Sequence, residues 1–161
     1  MNQAVFYSTL VAIIGSGLIA GTFFVFSVAV MEALRRLPEN VGISAMQSIN
    51  LVIQNPIFLG VFLGTALVSL GLVVFSLLNW NSAASGFILA GAVLYFAGTF
   101  LVTSVFNVPL NNTLAAVDAT SSAGHEVWND YLQSWTTWNH VRTLFSIASM
   151  VTLIFALLKI K

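Results

Sequence analysis

The sequence predicts an all-α integral membrane protein in which four spanning helices form an up-down bundle, with short interfacial helices in the first and third connections. Three observations lead there. Of 161 residues, 58% are hydrophobic and 6% are charged, against roughly 25% charged in a soluble domain. Four apolar runs are each long enough to cross a hydrocarbon core of about 30 Å at about 1.5 Å per residue. The connections between them run long, short, long, which suits one bundle with both long connections at the same end. The whole chain, 1–161, reads as a single membrane domain.

The first span is expected over about 4–31. It lacks the basic leader of a secretory signal, its apolar run is too long for one, and we read it as retained. Gly17 and Gly21 stand four residues apart, as do Gly60 and Gly64 in the second span, about 56–78. That spacing lets two helix backbones approach closely, so it predicts packing of the first span on the second. Between them, Val41 to Gln54 alternates apolar Val41, Ala45, Ile49, Val52 and Ile53 with Ser44, Gln47, Ser48 and Asn50, the pattern of an interfacial helix. Asn55 and Pro56 then read as N-cap and first helical residue.

The polar turn that opens at Asn79 is short, so the second and third spans are antiparallel neighbours. The third span covers about 85–106. Proline at 109 disfavours helix at the residue before it, which predicts a break or kink at Val108 and a new short helix from Pro109. A polar loop with Asp118, Ser121, Ser122 and Gly124 follows, and the fourth span is expected over about 135–158. Both termini fall on the same side of the membrane. The side itself stays open, because Arg35, Arg36 and the shallow Arg142 nearly balance Lys159, Lys161 and the terminal amine.

Five basic and five acidic side chains cancel, so nothing suggests a nucleic acid or an acidic partner. Cysteine is absent, which removes disulfides, thiolate nucleophiles and thiolate metal sites. Two histidines without a shared helix face give no metal-ligand pattern, and a haem between His125 and His140 has little support. Asn111-Asn112-Thr113 matches a glycosylation sequon by form only. The expected partners are the bilayer and a hydrophobic small molecule, and a homo-oligomer is compatible with the sequence. The expected location is multi-pass in a membrane, taken as the plasma membrane.

One stretch concentrates chemistry: Trp135-Thr-Thr-Trp138-Asn139-His140-Val-Arg142-Thr143, at the mouth of an uncharged run. Polar groups at that depth are expensive, which makes them functional candidates. Steps of three and four residues put Trp135, Trp138, Asn139 and Arg142 on one helix face. His140 lies about 200° from Arg142 at roughly 100° per residue, so the two point apart unless the helix is distorted near Asn139. Asn107, Asn111, Asn112, Tyr131 and Glu32 fall at the same end of the bundle. Each has a structural alternative. Arg142 can snorkel to headgroups within an aromatic belt, His140 can bond a neighbouring helix, and the asparagines can cap the turn at Pro109.

Asn107-Val-Pro109-Leu-Asn111, followed by the tryptophan, Asn139-His140 and Arg142 motif in a four-span chain of this size, resembles the anthrone oxygenase-like membrane family. The likeness implies oxidation of an anthrone to an anthraquinone by molecular oxygen, without flavin, metal or haem. It further implies His140 as the base, with Arg142 and Asn139 stabilising charge on the substrate oxygen and Asn107 or Asn111 facing them. Trp135 and Trp138, with Tyr131 nearby, would hold a flat aromatic ring. Two other readings stay open: a non-enzymatic bundle whose Asn, His and Arg residues form a structural polar network, and a small-molecule carrier.

Overall fold

A computed structural model describes residues 3–159; Met1, Asn2, Ile160 and Lys161, which carry the terminal amine and the Lys161 charge weighed for the orientation, lie outside it. Five helices make up the described chain. We label them α1 (Gln3–Arg35), α2 (Glu39–Val52), α3 (Pro56–Leu78), α4 (Ser85–Ala115) and α5 (Ser122–Lys159). All but α2 are long and apolar enough to cross a membrane, and the protein is a multi-pass membrane protein. Around the bundle α1 packs between α3 and α5, and α4 packs between α3 and α5 on the other side.

Three apolar clusters stack along the bundle. Val5, Leu72, Ile88 and Leu153 pack at the end that holds the start of α1 and the finish of α5. Ile19, Phe23, Phe62, Ala66 and Tyr95 fill the middle. Met31, Leu34, Ile43, Met46, Leu114, Trp128, Tyr131 and Trp135 close the far end, where α2 lies. The face α2 buries is Gly42, Ile43 and Met46, with Ala45 and Ile49 partly covered. Val41 and Val52, expected on that face, are exposed. α2 starts at Glu39, directly behind Pro38, rather than at Val41.

Asn55 caps α3 as the sequence predicts: its Oδ1 accepts from the amides of Ile57 and Phe58 at 3.1 and 3.0 Å, with Pro56 following it. The turn after α3 is held by Ser85, whose hydroxyl donates to the carbonyl of Asn79 at 2.6 Å.

The expected break at Val108 is absent. Val108 has helical dihedrals of −63° and −45°, and the short helix predicted from Pro109 is the last two turns of α4. Two π-helical stretches, Phe96–Leu101 and Thr103–Asn107, precede the proline. A widened ladder loosens the register in which proline would otherwise meet the carbonyl one turn back. A third π stretch, Phe26–Val30, lies in α1. The fourth span likewise starts earlier than residue 135. From Ser122 the core-facing positions Gly124, Trp128, Tyr131 and Trp135 keep a three-to-four spacing, so one helix runs through. At 38 residues it is about 57 Å long, which carries its first turns beyond the hydrocarbon.

The close approaches between helices fall elsewhere than the glycine pairs suggest. Gly21, Gly60 and Gly64 face open space, and Gly17 looks toward Met150 of α5. α1 does pack on α3, but through Gly15, where an added Cβ would sit 1.9 Å from Thr65 Oγ1.

Candidate functional site

The buried edge of α5 carries a run of polar residues: Asn139, Arg142, Thr143, Ser146 and Ser149. In an apolar bundle each needs a partner, because an unsatisfied polar group there is costly. The facing helices supply them, for Asn139 and Ser146 where the ladders widen and for Ser149 at a regular turn of α4. Asn139 Nδ2 donates to the carbonyl of Phe23 at 2.8 Å and to Ser27 Oγ at 2.7 Å, at the π stretch of α1. Ser146 and Thr99 share a hydrogen bond of 2.9 Å at the first π stretch of α4. Ser149 donates to the carbonyl of Gly91 at 2.7 Å.

Arg142 is 5% exposed. Its Nε donates to Asn139 Oδ1 at 2.9 Å, and Nη1 reaches Thr103 Oγ1 at 3.5 Å, in the second π stretch of α4. The guanidinium lies over two rings, 3.8 Å from the centroid of Phe23 and 4.7 Å from that of Trp135. No described carboxylate pairs with it. Glu32 is taken by Arg35 and Arg36, and Glu39 by His125 Nδ1 at 3.1 Å. A guanidinium has five N–H donors in a planar fork, and these contacts leave several unused.

Arg142 lines a cavity of about 270 Å³, close to the lower bound of about 300 Å³ for ligand clefts. Phe23 and Phe26 of α1, Phe58 and Phe62 of α3, and Trp135 supply its aromatic wall. Met46, Ile49 and Asn50 of α2 roof it, and Thr103, Val108, Asn111 and Asn112 of α4 close the far side. No Cα of α3 comes within 8 Å of Thr103–Asn107 or of the turns that follow in α4. This gap, rimmed by the half-buried Phe58 and the exposed Val108 and Asn112, opens the cavity sideways.

A second network sets the cavity end nearer α2. Asn111 Oδ1 accepts from Tyr131 OH and from Trp135 Nε1, both at 2.8 Å. Asn50 Nδ2 donates to Tyr131 OH at 3.3 Å. Trp128, Tyr131 and Trp135 stack in sequence with centroids 5.8 Å apart, which fixes the indole that walls the cavity.

Of the residues singled out in the sequence, Arg142, Trp135 and Asn111 line the cavity, and Tyr131 stands directly behind Asn111. Asn139 orients Arg142 without lining the cavity. Asn107 is fully buried between α4 and α5, where its Nδ2 donates to the carbonyl of Trp135 at 3.2 Å. Trp138 turns aside and stacks on Phe106, with centroids 3.7 Å apart. His140 is exposed and lines none of the described cavities. α5 is regular through Asn139, so the distortion needed to bring His140 beside Arg142 does not occur, and the two side chains face apart. The distortions lie instead in α1 and α4, opposite the polar edge of α5. His125 and His140 stand fifteen residues apart on one helix, about 22 Å, which separates them too far for one haem.

Phe23, Phe26, Phe58, Phe62, Asn50 and Thr103 were not singled out in the sequence as site residues. In an apolar span a phenylalanine carries no signal that separates a cavity wall from lipid contact. Asn50 did carry one, as a polar residue on the predicted interfacial helix.

A family model described as anthrone oxygenase matches residues 56–152, more than half of the chain. The matched stretch contains Phe58, Phe62, Thr103, Asn107, Asn111, Trp135, Asn139 and Arg142, while the walls from α1 and α2 lie outside it. No curated protein and no solved structure matches the chain.

Proposed function

The chain belongs to the anthrone oxygenase family, and from that premise we propose that the Arg142 cavity binds a flat, lipophilic anthrone-like molecule for oxidation by molecular oxygen. The observation that carries the reading is Arg142 itself: a buried cation with spare donors, no described carboxylate partner, and an aromatic-walled cavity in front of it. A charge inside a bundle is maintained at a cost, and an oxygen that becomes anionic during reaction repays it.

The chemistry then follows. With the ring system between Trp135 and the phenylalanines, its carbonyl oxygen lies against the guanidinium. Loss of a proton from the methylene carbon leaves an enolate whose charge Arg142 stabilises. That proton passes to water at the rim, where Gln54 and Asn112 line the cavity. The enolate carbon gives an electron to oxygen, and the two radicals combine to a peroxide, which takes a proton to become a hydroperoxide. The hydroperoxide then loses water, taking the remaining carbon-bound hydrogen and one oxygen atom. One anthrone and one oxygen molecule thus give one anthraquinone and one water, and each step uses only substrate, oxygen and water.

In this reading Arg142 and Trp135 touch the substrate, Asn139 is a positioning residue for Arg142, and Asn107 anchors the backbone beneath Trp135. His140, the expected base, takes no part. The structural-network reading survives in a narrower form, as the role of Asn139, Asn107, Ser146 and Ser149. The protein would act within a membrane, taken as the plasma membrane, with both termini on one side and lipophilic substrate entering through the gap between α3 and α4. Oxygen consumption on adding anthrone to the purified protein tests the proposal.

A further inference from the structure

Arg142 is not the only spare donor in the cavity. Asn111 Oδ1 accepts two hydrogen bonds from α5, one from Tyr131 and one from Trp135. Those two donors fix which way the amide is turned, since a tyrosine hydroxyl and an indole N–H cannot both donate to an NH2 group. Asn111 Nδ2 is left on the side away from α5, with no acceptor among the described residues, and Asn111 lines the cavity. The other amides at that end are spent or peripheral. Asn50 Nδ2 goes to Tyr131 and Gln54 Nε2 to the carbonyl of Asn50, while Asn112 sits exposed at the rim.

The two donors stand on different sides of one indole, one over its face and one at its Nε1 edge. Arg142 lies over the Trp135 ring, and Asn111 holds the Nε1 of that same ring. A planar ligand in the cavity therefore meets a cationic donor from Arg142 and a neutral donor from Asn111. Anthrone has an oxygen at one edge only, whereas the anthraquinone made from it has one at each.

We infer that Asn111 is the specificity-determining donor for the second oxygen, so that the cavity favours planar para-quinones, with oxygen at two opposite edges, over their mono-oxygenated precursors. The inference rests on the proposed aromatic site and deepens it. Asn111 would hold the oxygen introduced by the reaction, and the product would be retained more tightly than the substrate.

The test is anaerobic binding of anthrone and of anthraquinone to the full-length protein, followed by quenching of tryptophan fluorescence. One neutral hydrogen bond is worth about 0.5–1.5 kcal/mol, so anthraquinone is expected to bind roughly two- to tenfold more tightly than anthrone. Asn111→Asp keeps an oxygen for Tyr131 and Trp135 but removes the free donor, and it should bring the ratio of the two dissociation constants to about one. If that variant does not fold, judged by thermal melting, Asn111→Leu makes the same comparison. A wild-type ratio at or below one, or a ratio unchanged by the substitution, overturns the inference while leaving the aromatic site intact. Binding of neither compound overturns both.

Discussion

The guanidinium carbon of Arg142 stands 3.8 Å from the centroid of the Phe23 ring, so the charged residue of α5 is held against α1 by an aromatic face rather than by a carboxylate. A cation over a ring contributes about 0.5 kcal/mol when exposed and about 2 kcal/mol when desolvated. Phe23→Leu keeps the apolar volume of the wall and removes that attraction. We expect a loss of about 1–2 kcal/mol in thermal unfolding, with weaker substrate binding because the guanidinium is no longer fixed. Unchanged stability and unchanged affinity would mean that the ring contributes only bulk.

His140 is exposed on the side of α5 away from the cavity. His140→Ala should leave oxygen uptake with anthrone within about twofold of wild type, the range expected of a surface position. Loss of uptake in a folded His140→Ala protein would restore the histidine as the base and require α5 to rearrange during turnover.

Asn139 joins α1 to α5 through the carbonyl of Phe23 and Ser27 and also receives Nε of Arg142. Asn139→Leu strands several of these groups at once, with an expected cost of about 1–3 kcal/mol. Asn107→Leu loses one bond to the carbonyl of Trp135, but it also removes an Oδ1 that is buried without a partner. Its cost should therefore be the smaller of the two, and thermal melting of both variants in one detergent checks the order.

Gly15 and Gly21 separate close approach from mere spacing. A Cβ at Gly15 would meet Thr65 Oγ1 at 1.9 Å, whereas one at Gly21 meets nothing within 4 Å. Gly15→Ala should destabilise by about 1–3 kcal/mol through overpacking. Gly21→Ala should be neutral or stabilising by up to about 1 kcal/mol through helix propensity. Equal melting temperatures for the two variants would contradict the α1–α3 contact.

That contrast marks where the sequence stops being informative. Hydropathy announced four spans, because lipid demands long uncharged runs, and Asn55-Pro56 announced the start of α3, because capping is local chemistry. The shared face of Trp135, Asn139 and Arg142, and the opposite direction of His140, followed from helical spacing alone, but Trp138, expected on the same face, turns aside to Phe106. Spacing says which residues share a face but not what that face meets, so Gly17, Gly21, Gly60 and Gly64 were matched to the wrong partners. The π stretches of α1 and α4 had no readable signal, since they answer to groups such as Asn139 and Thr103 brought together only by the fold. Proline at 109 predicted a break because the rule assumes a regular ladder, and the ladder there is already widened.

The most direct test is oxygen uptake by the purified protein in lipid with anthrone as substrate, comparing wild type with Arg142→Gln. We predict that wild type consumes one oxygen molecule for each anthrone converted to anthraquinone. Arg142→Gln, still folded by thermal melting, should turn over about 10²- to 10³-fold more slowly, as when a donor to a developing oxyanion is removed. Equal uptake by the two proteins, or no uptake by wild type above the rate in lipid alone, would contradict the account.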